Sequence, residues 1–405
     1  MKIIHIMTDV NNKLEDEFDY YKGWQTTFSI QTLKHSNEFE TECWTLYNPV
    51  TCKKSGILER ERLGVKYRYF PAYNIFSFFI SFTLLKYLLL KNLYSEKYII
   101  HMQALHTPMS NLISFFSRNI PLIAQQRSPN FPPIIKYRRT GRLVYFLHQF
   151  IDKFCLRFYD HIFAPSVAEY IYLKKIINQK NITFLKGGGF DFDENPKLDK
   201  LKSREDLGLP HDKKILIHVG RYNNRKGLPL IIDTYEKIKI NHKNLMFIII
   251  GGDGRGYSKS SINSKIYDKA MNSSSLVIDK HLPKVEVIKY LSAADLNIMC
   301  SEDNTFNKFS DISNVEIEAA AMGTPSVSSF LLHYYGTKEE RNKLGIFTTS
   351  ENLGKSLNRF IEAEWTPGNT RKLIKKYYNW KFILTRNFTV YKDLTRKYYG
   401  NLKFE

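Results

Sequence analysis

At 405 residues, with 43% apolar and 14% aromatic side chains, the chain has material for the cores of two to three domains, which excludes a disordered polymer and a small disulfide scaffold. Sixty Lys and Arg against forty Asp and Glu leave a net charge of +20, which points to anionic partners: phosphates, nucleic acid or an acidic membrane surface. The four cysteines, Cys43, Cys52, Cys155 and Cys300, show no CxxC pair and no metal-ligand spacing, and they read as reduced thiols of a cytosolic protein.

In chain order, MKIIHIMTDV carries an apolar run too short for a signal peptide and reads as a first strand. A polar loop over 11–22 leads into a helix opened at Gly23. Residues 75–93, IFSFFISFTLLKYLLLKNL, are the most apolar stretch. Lys86 and Lys91 interrupt it, and its longest uncharged run, 75–85, is about half of the ~20 residues of a membrane span. One helix is expected there, buried in a core or lying at a bilayer interface. Strands follow at 98–102, with His101 and His106 near its end, and at 121–126, before Arg127. A His at such a place is either a proton relay and substrate partner or a satisfied structural residue.

Between 134 and 161 a basic front of Lys136, Arg138, Arg139 and Arg142 precedes an apolar, aromatic helix. This is either a solvated loop before a core helix or a docking element for anionic lipid, at about 1 kcal/mol per basic residue. Residues 161–166 and 181–184 read as strands. LKGGGFDFDENP then reads as a linker, because glycines precede and Pro196 follows Asp191 and Asp193. With no second ligand cluster visible, the Asp-x-Asp is not read as a metal site and no metal is expected.

The second half opens with an apolar, β-branched run at 215–219 that breaks at Gly220 into a polar loop with Arg221, Arg225 and Lys226. Gly227 permits close backbone approach, 228–240 has helical spacing, and 245–250 is a second buried strand, which completes a βαβ unit. Ligands of an open parallel sheet lie outside the carboxyl ends of its strands, so Arg221 and Lys226 face the place where a pyrophosphate would lie. Two fixed cations can stabilise a departing diphosphate without a metal, the alternative being a solvated basic loop. A strand at 277–280, a helix in HLPKVEVIKYLSAADL and a strand in LNIMCS continue the βαβ order. Residues 314–328, NVEIEAAAMGTPSVS, form a helix ended by Gly323 and Pro325.

GRYNNRKG, IIIGGDG and EAAAMGTPSV, in this order and spacing, resemble the carboxyl-terminal half of family-4-type retaining glycosyltransferases of the GT-B fold, over about half of the chain. The resemblance implies an α/β protein of two Rossmann-like domains facing a cleft. Residues 1–188 would bind the acceptor, 189–380 the nucleotide-sugar, and 381–405 would form a helix crossing back onto the first domain. It further implies that Arg221 and Lys226, beside Gly220, hold the donor diphosphate. Glu318, in the segment that opens with Asn314 and Val315, would hold the nucleotide ribose. His281 and Leu282 begin the loop under the base, Gly23 belongs to the loop after the first strand, and His106 lies toward the donor sugar. Arg127 stands where the family commonly has a His.

One departure concerns Ser310, eight positions before Glu318, where the family has a Glu at the donor sugar. In SEDNTFNKFSDIS either Asp303 or Asp311 would supply the acid, Asp303 being favoured because it directly follows the strand LNIMC, or all are solvated loop residues. The expected function is therefore a metal-independent, retaining hexosyltransferase that moves a sugar from a UDP- or GDP-linked donor to a glycan or lipid-linked acceptor in surface polysaccharide synthesis. It is expected in the cytoplasm, in peripheral contact with anionic membrane at its inner face. Two alternatives stand beside it: a non-catalytic sugar-nucleotide-binding GT-B protein, because of Ser310, and a basic nucleic-acid-binding protein. The absence of helix-turn-helix, zinc and RNA-binding motifs argues against the second, and no nucleic acid partner is expected.

Overall fold

The computed structural model describes residues 1–11, 24–75, 78–90, 97–117, 119–125, 141–177, 181–222, 226–251, 261–280, 282–301 and 311–400. The chain divides into two compact units, one formed by Met1–Gly189 with Trp380–Glu405 and the other by Phe190–Asn379.

Unit 1 is built on β1 (Lys2–Asn11), α1 (Trp24–His35), β2 (Glu40–Tyr47), β3 (Leu58–Arg62), β4 (Val65–Pro71), β5 (Tyr73–Ile75) and β6 (Phe78–Ile80). It continues with α2 (Phe82–Leu90), β7 (Tyr98–Met102), α3 (Pro108–Phe116), β8 (Leu122–Gln125), α4 (Gly141–Cys155), β9 (His161–Ala164), α5 (Val167–Ile176) and β10 (Ile182–Phe184). Eight strands make one sheet in the order β10-β9-β8-β7-β1-β2-β4-β3, and only β3 runs antiparallel to its neighbour. The central strands are buried on both faces, so they appear in the sequence as continuous apolar runs such as YIIHM. Ile4, Trp44, Ile100 and Leu122 fill one core with Leu84 and Leu88 of α2.

The expected helix over 75–93 is shorter in fact. Its first part is the β5–β6 hairpin, and the helix begins only at Phe82, where Ser81 Oγ accepts from the Leu84 amide at 3.2 Å. A run of aromatic and apolar residues without helical period is as good a strand as a helix, and a Ser at the right distance decides where the helix starts. Leu84, Leu85 and Leu88 are buried, as a core helix requires, while Phe82, Leu89 and Leu90 remain exposed.

Unit 2 is built around β11 (Lys214–Val219), α6 (Leu228–Lys239), β12 (Leu245–Gly251), β13 (Leu276–Asp279), α7 (Lys284–Ala293), β14 (Leu296–Met299), α8 (Asn314–Met322), β15 (Ser326–Ser328) and β16 (Gly345–Phe347), with further helices on its faces. Its sheet is wholly parallel in the order β13-β12-β11-β14-β15-β16. The strand order therefore reverses at β11, so the crevice between the ends of β11 and β14 is the topological switch point. A final helix, α9 (Trp380–Tyr399), returns to unit 1. There Trp380, Ile383, Leu384 and Tyr391 pack on Ile3, Phe28, Ile99 and Phe163, with the Phe28 and Trp380 rings edge to face at 5.5 Å.

Asp191 of the linker closes a turn, its Oδ1 accepting from the amides of Asp193 and Glu194 at 3.2 and 3.0 Å. Arg371 braces the same turn by donating to the carbonyls of Phe192 and Asn195 at 3.3 and 3.2 Å. Among the described residues no helix is long and apolar enough to cross a membrane.

Candidate functional site

The best-defined site is at the switch point of unit 2. β11 is a run of Ile and Leu ending at Val219, and Gly220 keeps the strand's last ladder bond by donating to Ile250 O at 2.9 Å. Beyond that bond the chain leaves the sheet, and Arg221 stands exposed at its end. The chain comes back at Lys226 and Gly227. Gly227 has φ +68°, and a Cβ there would lie 1.6 Å from Cys300 O, so only glycine can bring the start of α6 against the end of β14. The contact is held by the Cys300 amide, which donates to Lys226 O at 3.3 Å. Burying this backbone approach is what delivers the Lys226 side chain to the carboxyl ends of β11 and β14.

The second segment meets the first there. Ser313 caps α8, accepting at its side chain from the Glu316 amide while Glu316 Oε2 accepts from the Ser313 amide at 2.8 Å. Lys226 Nζ donates to Ser313 Oγ at 3.2 Å and lies 4.6 Å from the centre of the Phe330 ring, so the ammonium is fixed from two sides at the amino terminus of a helix. The Lys226 ammonium and the first turn of α8 make a region of positive potential able to hold phosphate oxygens.

Glu318 lies one turn further along α8, 14% exposed, with Lys284 Nζ at 3.7 Å from Oε1. Burial raises its pKa and the Lys284 charge opposes that rise. Asn314 and Val315 of the same helix are half-buried, and Leu282 is buried in the core before α7. Gly323 ends the helix with φ +94°, as a left-handed cap. Asp311 is half-buried near Tyr378, whose hydroxyl is pushed well up by burial and by the Asp311 charge. Gly23, Arg127, Lys136, Arg138, Arg139, His281, Glu302, Asp303 and Ser310 lie outside the described residues, as does Arg225.

The two histidines at the end of β7, His101 and His106, have interior partners. His101 is fully buried with Nδ1 2.6 Å from the Tyr391 hydroxyl of α9. His106 is also buried, with φ +61° and Nδ1 2.7 Å from Asp152 Oδ2 on α4, and Nε2 3.8 Å from Glu169 Oε1 on α5. Burial alone would lower its pKa, but the Asp152 charge and hydrogen bond, then Glu169, outweigh it and push the value up to about 10. The imidazolium is thus the favoured form near neutral pH. We therefore assign His106 to pinning α4 and α5 under the sheet rather than to proton relay.

Sequence reading missed Ser313, Phe330 and Lys284. Ser313 was available as a capping-box Ser-x-x-Glu, whereas Phe330 reaches Lys226 across about a hundred residues and leaves no local signature.

Residues 199–378, which hold all of these unit 2 groups, match the family model of glycosyl transferases group 1. The D-inositol 3-phosphate glycosyltransferase of Thermobifida fusca is 25% identical over 135 residues, 32% of this chain and 30% of that protein. A putative glycosyltransferase of Bacillus subtilis is 22% identical over 253 residues, 56% of this chain and 60% of that protein. The chain thus spans less than two thirds of the length of these curated relatives. Sucrose-phosphate synthase from Thermosynechococcus elongatus superposes with a TM-score of 0.66 at 15% identity, covering 97% of this chain and 99% of that one. Anabaena HepE, solved in complex with UDP-glucose, gives 0.65 at 13% identity over 97% and 99%. The two Rossmann-like units and the returning helix are the GT-B fold.

Proposed function

We propose that this chain, whose residues 199–378 match the family model of glycosyl transferases group 1, moves a sugar from a nucleoside-diphosphate donor to a saccharide acceptor. The observation that carries the proposal is the meeting of Lys226 with Ser313 at 3.2 Å, which joins two segments 87 residues apart into one cationic site at the switch point. Arg221 and Lys226 hold the diphosphate and stabilise the charge that develops as the glycosidic bond breaks. Glu318 accepts from the ribose hydroxyls, for which Lys284 must yield part of its hold. HepE was solved with UDP-glucose, which supports a uridine donor here, with GDP-linked sugars as the second choice.

Retention of anomeric configuration and supply of the acid that Ser310 lacks, from Asp303 or Asp311, belong to the same proposal. So does an acceptor carried on a surface glycan or lipid. Nucleotide release should be measured from a panel of UDP- and GDP-sugars. At least one donor is expected to turn over, and chelator-treated protein should keep the rate, because the two cations do the work a metal would do elsewhere. A strict need for manganese or magnesium would reopen Asp191 and Asp193 as ligands, and binding without turnover would favour the non-catalytic reading.

Peripheral membrane docking is also proposed, at the interfacial surface of α4. Phe146, Leu147, Phe150, Ile151 and Phe154 recur at one- and three-residue steps and are all exposed, Phe150 by 75%. The basic run that ends at Arg142 directly precedes this face in sequence. Co-sedimentation with vesicles is expected to rise with anionic lipid and fall with salt, since exposed charges are screened over about 8 Å at physiological ionic strength. Phe150→Asp should weaken it, whereas equal binding to neutral and anionic vesicles would count against docking.

A further inference from the structure

β11 and β14 pair only through Leu216 with Leu296 and Ile217 with Asn297, and then diverge. His218 occupies the opening. It is fully buried, and Nδ1 makes the cross-strand bond that the ladder no longer supplies, 2.9 Å from Ile298 O. Since a carbonyl only accepts, Nδ1 carries the proton and Nε2 is a bare lone pair. That lone pair has no hydrogen-bond partner among the described residues. It faces the anion site: a Cβ placed on Gly220 would lie 3.3 Å from Nε2 and 3.7 Å from Cγ of Lys226. The ring stays in this form at working pH, because burial, partly countered by the Ile298 bond, and then the Lys226 charge lower its pKa to about 4.

An unmade acceptor in a buried place is costly, and a lone pair repels phosphate oxygen. The group that suits it is a cation. An ammonium has three N–H bonds and Ser313 Oγ accepts one of them. Resting on the donor-site reading above, we infer that His218 is a positioning residue of the diphosphate site, its Nε2 acting as the acceptor that steers the Lys226 ammonium when Lys226 engages an anionic ligand. The two ring nitrogens then have separate duties, Nδ1 holding β14 and Nε2 aiming Lys226.

Asn and Gln separate the two duties. In His218→Asn the amide nitrogen stands close to the place of Nδ1 and nothing occupies Nε2, whereas in His218→Gln the amide oxygen reaches toward Nε2 and the Nδ1 donor is lost. The probe is UDP, or GDP if only GDP binds the unmodified chain, titrated calorimetrically at pH 7.5, with thermal melting recorded for each protein. His218→Asn is expected to melt near the unmodified chain and bind the nucleotide about tenfold or more weakly. His218→Gln is expected to melt lower yet bind within about threefold of the unmodified chain. Unchanged affinity in His218→Asn, or equal loss in both variants, overturns the inference. Failure of the unmodified chain to bind either nucleotide overturns the proposed function together with it.

Discussion

Arg221→Ala is expected to lower turnover by about 10² to 10³, the usual loss when one preorganised contact to a developing anion is removed. Arg221 stands exposed at the end of β11 and supports no core, so the variant should melt with the unmodified protein. Lys226→Ala should cost as much or more, because Lys226 also joins the loop to Ser313 and Phe330. The check is a rate measured at saturating donor together with a nucleotide affinity. Transfer near the unmodified rate in Arg221→Ala would remove it from the phosphate clamp and leave the loop as a solvated basic turn.

The second large effect is on stability and lies in unit 1. Asp152→Ala removes the hydrogen-bonded carboxylate from the buried His106 imidazolium and keeps the longer Glu169 contact, and chemical denaturation at pH 7 should show a loss of roughly 3 to 5 kcal/mol, the common cost of breaking a buried pair. The sign with pH follows from the raised value. Because the folded pKa of about 10 exceeds the ordinary histidine value of 6.5, the stabilisation is full below pH 6.5 and is lost as pH rises toward 10. The difference between the unmodified protein and Asp152→Ala should therefore shrink between pH 7 and 10. A difference independent of pH would mean that the pair contributes by packing and not by charge.

Fold and site were legible in the sequence to different depths. The central parallel strands of both sheets show as short apolar runs, because strands buried on two faces have no polar alternation to hide them. In unit 2 the helix over 314–322 and its stop at Gly323 follow from local rules, as does the close approach at Gly227. The 75–93 stretch misled because composition without period cannot distinguish a hairpin from a helix. The surroundings of His106 were not legible for another reason: Asp152 and Glu169 lie 46 and 63 positions away and are brought to it by α4 and α5. Three strands of unit 1, β2 to β4, were passed over altogether. Their polar residues, Glu42 and Arg68 among them, are paired inside the sheet and look like surface in a list of letters.

The central claim is that the loop after β11 and the start of α8 form one donor site. Amide hydrogen exchange with and without a UDP-sugar tests it without knowledge of the acceptor. Protection is predicted at residues 220–228 and 313–318 together, and it should disappear in both segments in Arg221→Ala. Saturating nucleotide-sugar that leaves both segments unprotected, or protects only one of them, would contradict the account.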